Sequence, residues 1–439
     1  MMEVGTVTTR PETYSVEAKR TIFAAFVSWF VDMYDVYAPI VALTPAMVYF
    51  LPGGLPDYIV VTVFYTTLAA SLLGRPVGAF IFGHFSDRIG RRKASLLSVA
   101  GVTIATLLIA CLPGFEEIAF WGIGICIFLR FLSGVFIGGQ YTAAVPLAME
   151  YTPKQKRGIV SAMISTGYPG SFILITIITS LLLYNMTYQG VHSSYVQWGW
   201  RIPFLVGVII STALYFYYSR YVPESKIWAQ GEKSKTPLKD LFSGDNFKCF
   251  AQVFLLMSGV WFCFNSVVGT LTGVLTTMLA VEAKVVTNIF LIGYVCLFFT
   301  FFLIGALGQR FGRRTVLMVG GILNFTVAPL LYGYLIAGGF KSIPVLVASI
   351  IILLILSPGS VWGVGAAYLN ERFKTSVRAS GFGLGYSLAV IIPAFYSYYM
   401  LWLKAIMPYN YTQLVLLVLG GILIFAGAAM GPETKDVDF

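Results

Sequence analysis

The chain has 439 residues, of which 58% are hydrophobic, 16% aromatic and 11% charged, with a formal net charge of +10. Soluble domains carry about 25% charged residues, so an ordinary soluble enzyme, a disordered chain and a disulfide scaffold are all excluded. At about 20 apolar residues per crossing, the length accommodates roughly a dozen membrane-spanning helices joined by short loops.

The first twenty residues are polar and carry Arg10, Lys19 and Arg20. They lack the short apolar core and small-residue site of a cleavable signal peptide, so 1–20 is expected to be a tail. Apolar runs then predict twelve helices, near 21–50, 58–84, 94–112, 118–149, 158–183, 201–220, 249–279, 286–308, 315–338, 343–370, 379–403 and 412–430. A membrane β-barrel would alternate apolar and polar residues, and runs such as Val347 to Leu356 do not. The five cysteines (Cys111, Cys126, Cys249, Cys263 and Cys296) lie in or beside apolar runs without a CxxC pair. They read as packing residues, and no metal is expected.

Basic residues set the orientation. If the N-terminal tail and every second loop share one side, that side holds 23 of the 29 Lys and Arg. The other side holds Arg201, Lys284, Lys341 and Lys404, and Arg75 and Arg130 fall inside apolar runs. The positive-inside rule makes the rich side cytoplasmic, with both termini there. The charge is therefore a topology signal, and nucleic acid is not an expected partner. One long polar loop, 221–247, divides a six-span bundle (21–220) from a second (248–431), and 432–439 is a cytoplasmic tail. Segments 223–230 and 237–243 of the loop are candidate short interfacial helices. Asn185-Met-Thr187 and Asn410-Tyr-Thr412 match the N-glycosylation acceptor pattern and fall in loops assigned to the outside.

The halves repeat. Gly83-x-x-x-Asp87-Arg88-x-Gly90-Arg91-Arg92 follows span 2, and Gly305-x-x-x-Gln309-Arg310-x-Gly312-Arg313-Arg314 follows span 8 at an offset of 222 residues. Glu150 to Arg157 after span 4 is matched by Glu371 to Arg378 after span 10, and Pro223-Glu224-Ser225 by Pro432-Glu433-Thr434. The chain reads as a six-helix unit duplicated in parallel.

These motifs resemble the major facilitator superfamily from end to end. Arg75-Pro76-x-Gly78-Ala79-x-Ile81-Phe82-Gly83-His84 and Asp32-Met33-Tyr34-Asp35 resemble its metabolite:proton symporter family, while the Glu150/Arg157 layout and the Pro-Glu-Ser ending resemble sugar porters. Span 7 departs from sugar porters: Phe262-Cys263-Phe264-Asn265 stands where they carry Gln-Gln-x-x-Gly-x-Asn. The resemblance implies an all-α fold of two pseudo-symmetric six-helix bundles, alternating access and no cofactor, with a proton gradient as energy source. It also implies a cytoplasmic gate made of Gly83, Asp87, Arg88, Gly90, Arg91, Arg92, Glu150, Arg157, Gln309, Arg310, Arg313, Arg314, Glu371 and Arg378. In that gate Asp87 would reach an Arg and a helix N-terminus in its own half and tie span 2 to span 11. Glu150–Arg157 and Glu371–Arg378 would pair across helix ends. Such surface pairs are each worth about 0–1 kcal/mol.

Charges inside spans are costly and functional by default. Asp32 and Asp35 are spaced i, i+3 on one face of span 1. At 1.5 Å per residue, Asp35 lies about 22 Å from the outer end of span 1, and Arg130 about 20 Å from that of span 4, so the two could pair. Proton-coupled sugar porters place an acid after an aromatic in span 1 opposite an arginine in span 4, positions held here by Tyr34-Asp35 and Arg130. The alternative is a permanent ion pair that only fixes packing. Asp32 is a second proton site or the partner of Arg75. Arg75 binds a substrate carboxylate or is satisfied by Asp32 and backbone carbonyls. Arg130-x-x-x-Gly134-x-x-x-Gly138 permits close helix packing. Gln140, Tyr141, Tyr168, Asn265 and Tyr386 are substrate-site candidates, with Tyr65 and Asn288 behind them; Gln140 replaces the family's Glu.

The expected function is proton-coupled symport of a small organic metabolite (a carboxylate, amino acid or osmolyte) by a monomer in the plasma membrane. A sugar porter or facilitator, or a proton-coupled exporter, is the alternative. Gly167-Tyr-Pro169-Gly170 is only a fragment of the drug exporters' motif, and no phosphate loop, triad or metal cluster supports an enzyme.

Overall fold

The computed structural model describes residues 14–55, 57–187, 190–230, 236–275, 279, 281–340 and 342–439. Arg10, Lys233, Lys235 and Lys341 of the charge count lie outside these residues, as do the side chains of Tyr65 and Lys284. Among the described residues 12 helices are long and apolar enough to cross a membrane.

The first six spans are Val16–Phe50, Thr66–Ile89, Arg91–Ala110, Phe120–Glu150, Lys154–Asn185 and Tyr195–Tyr221. The last six are Gly244–Gly273, Val285–Phe311, Arg313–Ile336, Ile343–Glu371, Thr375–Leu403 and Tyr409–Met430. Span 1 starts earlier than its apolar run because Ser15 caps it, its Oγ accepting from Ala18 N at 3.0 Å. It ends as π-helix at Ala38–Leu43 and 3₁₀-helix at Thr44–Phe50, where Pro39 and Pro45 cannot donate to the α ladder. The polar loop contributes two short helices, Lys226–Gln230 and Pro237–Leu241.

Spans 2 and 4 pack through small residues. A methyl group on Gly134 would lie 2.0 Å from the Ser71 carbonyl oxygen, and one on Gly138 would lie 2.2 Å from that of Arg75. Backbone-to-backbone approach of this kind holds helices together in lipid, where no hydrophobic drive separates core from surroundings. It also sets Arg75 and Arg130 at fixed positions on neighbouring helices. Large apolar residues such as Phe80, Phe128, Ile209, Phe299 and Leu330 face outward, as expected of a lipid-facing perimeter. The halves meet through spans 2 and 11 and, in the pseudo-symmetric position, through spans 5 and 8, with span 10 against span 5.

Candidate functional site

The repeated motif builds a closed contact between the halves at the basic end of the bundle. Gly90 and Gly312 turn the chain between spans 2 and 3 and between spans 8 and 9, at φ of 112° and 100°. Positive φ favours glycine. The absent side chain also admits a carboxylate: Glu224 Oε1 accepts from the backbone N–H of Arg91 at 2.9 Å, and Glu433 Oε1 from that of Arg313 at 2.8 Å. Each acid thus caps the helix that starts there, which gives the Pro-Glu-Ser/Thr endings a function.

Asp87 accepts from Arg91 Nη1 at 2.6 Å, Ser380 N at 2.9 Å, Ser380 Oγ at 2.7 Å and Ala379 N at 3.2 Å. It therefore caps the helix Arg378–Ser387 of span 11. That helix belongs to the opposite half, not to Asp87's own half as the sequence led us to expect. Gly83 permits the approach, since a Cβ there would lie 3.0 Å from Ser380 Cα.

The two expected pairs within halves are replaced by pairs between halves. Glu150 bonds Arg378 at 2.7 Å and Arg91 at 3.3 Å. Glu371 faces Arg157 at 3.7 Å and Arg313 at 3.4 Å. Gln309 takes the position of Asp87 in the second copy, accepting from Arg313 Nη2 at 2.9 Å and from Gly158 N of span 5 at 3.1 Å. These groups are buried, with the Asp87, Arg91 and Glu150 side chains at 0% exposure, so they are not the surface pairs expected from sequence. Removing one partner of such a pair costs about 3–5 kcal/mol.

Four of the expected gate arginines lie elsewhere. Arg88 and Arg310 are exposed. Arg92 donates to Ser219 O at 2.6 Å and Arg314 to Ala429 O at 2.9 Å, fastening spans 3 to 6 and 9 to 12 within one half. Sequence reasoning missed two additions. Trp228 of the polar loop donates its indole N–H to Asp87 O at 2.8 Å. In the tail, the Phe439 ring lies 3.6 Å from the Arg157 guanidinium and 3.8 Å from that of Arg378. Arg157 also donates to Val437 O at 2.7 Å.

The charges inside the first half form two pairs. Arg130 Nη1 donates to Asp35 Oδ2 at 2.8 Å, and Ser133 Oγ to Asp35 Oδ1 at 2.9 Å. Arg75 Nη2 donates to Asp32 Oδ1 at 2.6 Å. All four charged side chains are at most 3% exposed. Asp35 also borders a small cavity between spans 1, 3 and 6, walled by Val31, Tyr34, Val102, Thr106, Ile210 and Ser211.

Between the halves lies a box of aromatic rings from spans 1, 4, 7, 10 and 11: Trp29, Tyr141, Trp261, Trp362 and Tyr386. Trp29 and Trp362 have centroids 5.5 Å apart, Trp261 and Tyr386 5.4 Å, and Tyr141 and Tyr386 4.7 Å. Two of the candidate substrate residues, Tyr141 and Tyr386, belong to it, and the Tyr141 hydroxyl bonds Ser387 Oγ. The other candidates do not. Gln140 donates to Ser28 O at 3.3 Å, Asn265 to Pro393 O at 2.9 Å, and Asn288 is exposed. Tyr168 instead joins a plug nearer the opposite end, where its hydroxyl lies 3.1 Å from that of Tyr294 and Tyr37 reaches Tyr294 at 3.3 Å. Phe172 stacks on Tyr294 at 4.0 Å. The box is thus closed toward both ends. The three tryptophans carried a signal in the sequence: tryptophan in membrane proteins concentrates at the interfaces, whereas these lie inside their spans.

Comparison with known proteins agrees with this architecture. Residues 21–239 match the family model described as "Sugar (and other) transporter". The shikimate transporter of Escherichia coli K12 is 28% identical over 98% of both chains, and the alpha-ketoglutarate permease of the same organism 28% over 88% of both. The proton:xylose symporter XylE superposes with a TM-score of 0.78 at 16% identity, covering 96% of this chain and 97% of its own. The fold and its motifs define a membrane transporter rather than an enzyme. The chain has a twelve-span architecture and is similar along its length to transporters of the major facilitator superfamily.

Proposed function

We propose that this protein is a proton-coupled symporter that carries a small organic metabolite (a carboxylate, amino acid or osmolyte) across the plasma membrane by alternating access. In this reading the basic end and both termini face the cytoplasm, by the positive-inside rule. The observation that carries the reading is the Asp35–Arg130–Ser133 group, a carboxylate fully engaged by a cation and a hydroxyl while buried. Burial disfavours a bare carboxylate and an adjacent cation favours it. If helix movement withdraws Arg130, a proton takes its place as the neutralising charge, and the return of Arg130 expels it. The similar transporters of shikimate and alpha-ketoglutarate support a carboxylate cargo. The likeness to the proton:xylose symporter XylE supports proton coupling.

The Asp32–Arg75 pair is a second buried ion pair in the same half, and in this reading it stays closed while Asp35 exchanges. The interhalf contacts at the basic end form the cytoplasmic gate, and the Tyr37–Tyr168–Tyr294 plug the external one. No cofactor takes part, and one chain forms a complete pathway. A sugar porter is the second reading, favoured by the family model over 21–239. Uptake into proteoliposomes separates them. Proton symport gives accumulation of an organic acid above equilibrium only with an inward pH gradient, abolished by a protonophore. A sugar facilitator gives equilibration of a sugar regardless of the gradient.

A further inference from the structure

A cavity between the halves is walled by Trp29, Ser165, Met257, Trp362, Phe382 and Tyr386, with aliphatic neighbours. Three of these walls carry a buried polar atom without a partner: Trp29 Nε1, Trp362 Nε1 and the Tyr386 hydroxyl. Trp29, Trp362 and Tyr386 are 5%, 8% and 1% exposed. An indole nitrogen can only donate. Arg75 Nε of span 2 is a further buried donor without a partner. The unpartnered acceptors of the region, Asp32 Oδ2 and Gln140 Oε1, are not among the cavity walls.

We infer that the aromatic box is the cargo site and that it reads a carboxylate through the indole N–H groups of Trp29 and Trp362 and the hydroxyl of Tyr386. Its cargo is therefore a small organic acid with a compact apolar body. This rests on the transport reading above and narrows its cargo. Rings alone would also suit a quaternary ammonium ion through cation–π contact. Such an ion offers no acceptor, however, and would leave the buried donors unsatisfied, at about 1–3 kcal/mol each. A carboxylate presents about four lone-pair sites to them and forms the stronger, charge-assisted bonds. Trp29 belongs to the first half and Trp362 to the second. One carboxylate bonded to both would hold the halves together around itself, which couples occupancy of the box to its closure.

The test is calorimetric binding to the full-length protein in nanodiscs at one fixed pH, with no gradient. The probes are carboxylates with chain, branched and ring bodies, their neutral primary amides, tetramethylammonium and xylose. We expect at least one carboxylate to bind and its amide to bind at least ten-fold more weakly. Trp29→Phe, Trp362→Phe and Tyr386→Phe keep an aromatic ring at each position and remove the donor, and each should weaken that carboxylate about ten-fold. The exposed Trp402→Phe should leave affinity unchanged. Unchanged affinity in all three donor variants, binding of tetramethylammonium or xylose in place of carboxylates, or no carboxylate binding would overturn the inference. Because no gradient is present, a carboxylate that binds as described while uptake proves indifferent to pH would sink the proton coupling and leave this site standing.

Discussion

Glu150 is paired with Arg378 of the other half, at 2.7 Å, and not with Arg157, which follows it in its own half. The pseudo-symmetric acid Glu371 likewise faces Arg157 across the interface, at 3.7 Å. The acid and base of one repeat thus each bond the other repeat. Opening the basic end must break both contacts together, exposing the acids and arginines to water. That arrangement makes a two-state switch from a duplicated sequence, and the position of the equilibrium depends on charges in both halves.

Reversing the charges tests the exchange. Glu150→Arg should shift the protein away from the state closed at the basic end and cut transport at least ten-fold. Adding Arg378→Glu should recover part of the loss, while adding Arg157→Glu should not. The measurement is initial uptake rate for the single variant and both doubles.

Asp87→Asn keeps one oxygen for the N–H groups of Ala379 and Ser380 but removes the charge that holds Arg91. A folded protein is expected, with transport slowed several-fold and thiol reagents gaining access to the crevice from the basic end. Wild-type rate together with unchanged access would contradict the role of Asp87.

The tail strengthens the same closure. Phe439 lies against guanidinium groups of both halves, and a cation–π contact is worth about 0.5–1 kcal/mol or more as it is desolvated. Phe439→Ala should therefore raise the population open at the basic end by a few-fold. Spin-label distances between the exposed positions 88 and 310, one in each half, read that population directly.

Much of this architecture was legible in the sequence, because lipid dictates apolar helices of a set length and the duplicated motifs mark matching positions. The depth argument that matched Asp35 with Arg130 also worked, although residues 38–50 depart from α-helix. What the sequence hid was partner choice between halves. Nothing in Glu150 to Arg157 says whether the two residues bond each other or their symmetry mates. Arg88 and Arg91 look equivalent in a basic run, yet one is exposed and the other buried against Asp87. The aromatic box was half legible: Tyr141 and Tyr386 stood among the candidates, whereas Trp29, Trp261 and Trp362 did not, because composition counts the indole as apolar.

The central claim is that Asp35 exchanges Arg130 for a proton during transport. Asp35→Asn imitates the protonated acid and cannot release a proton. The most direct measurement compares two modes in the same proteoliposomes: uphill uptake driven by a pH gradient, and exchange of labelled for unlabelled cargo without one. The account predicts that Asp35→Asn abolishes the first and preserves the second at a rate within a few-fold of wild type. Uphill uptake surviving intact in Asp35→Asn would contradict it and move the proton to another group, with Asp32 the next to test.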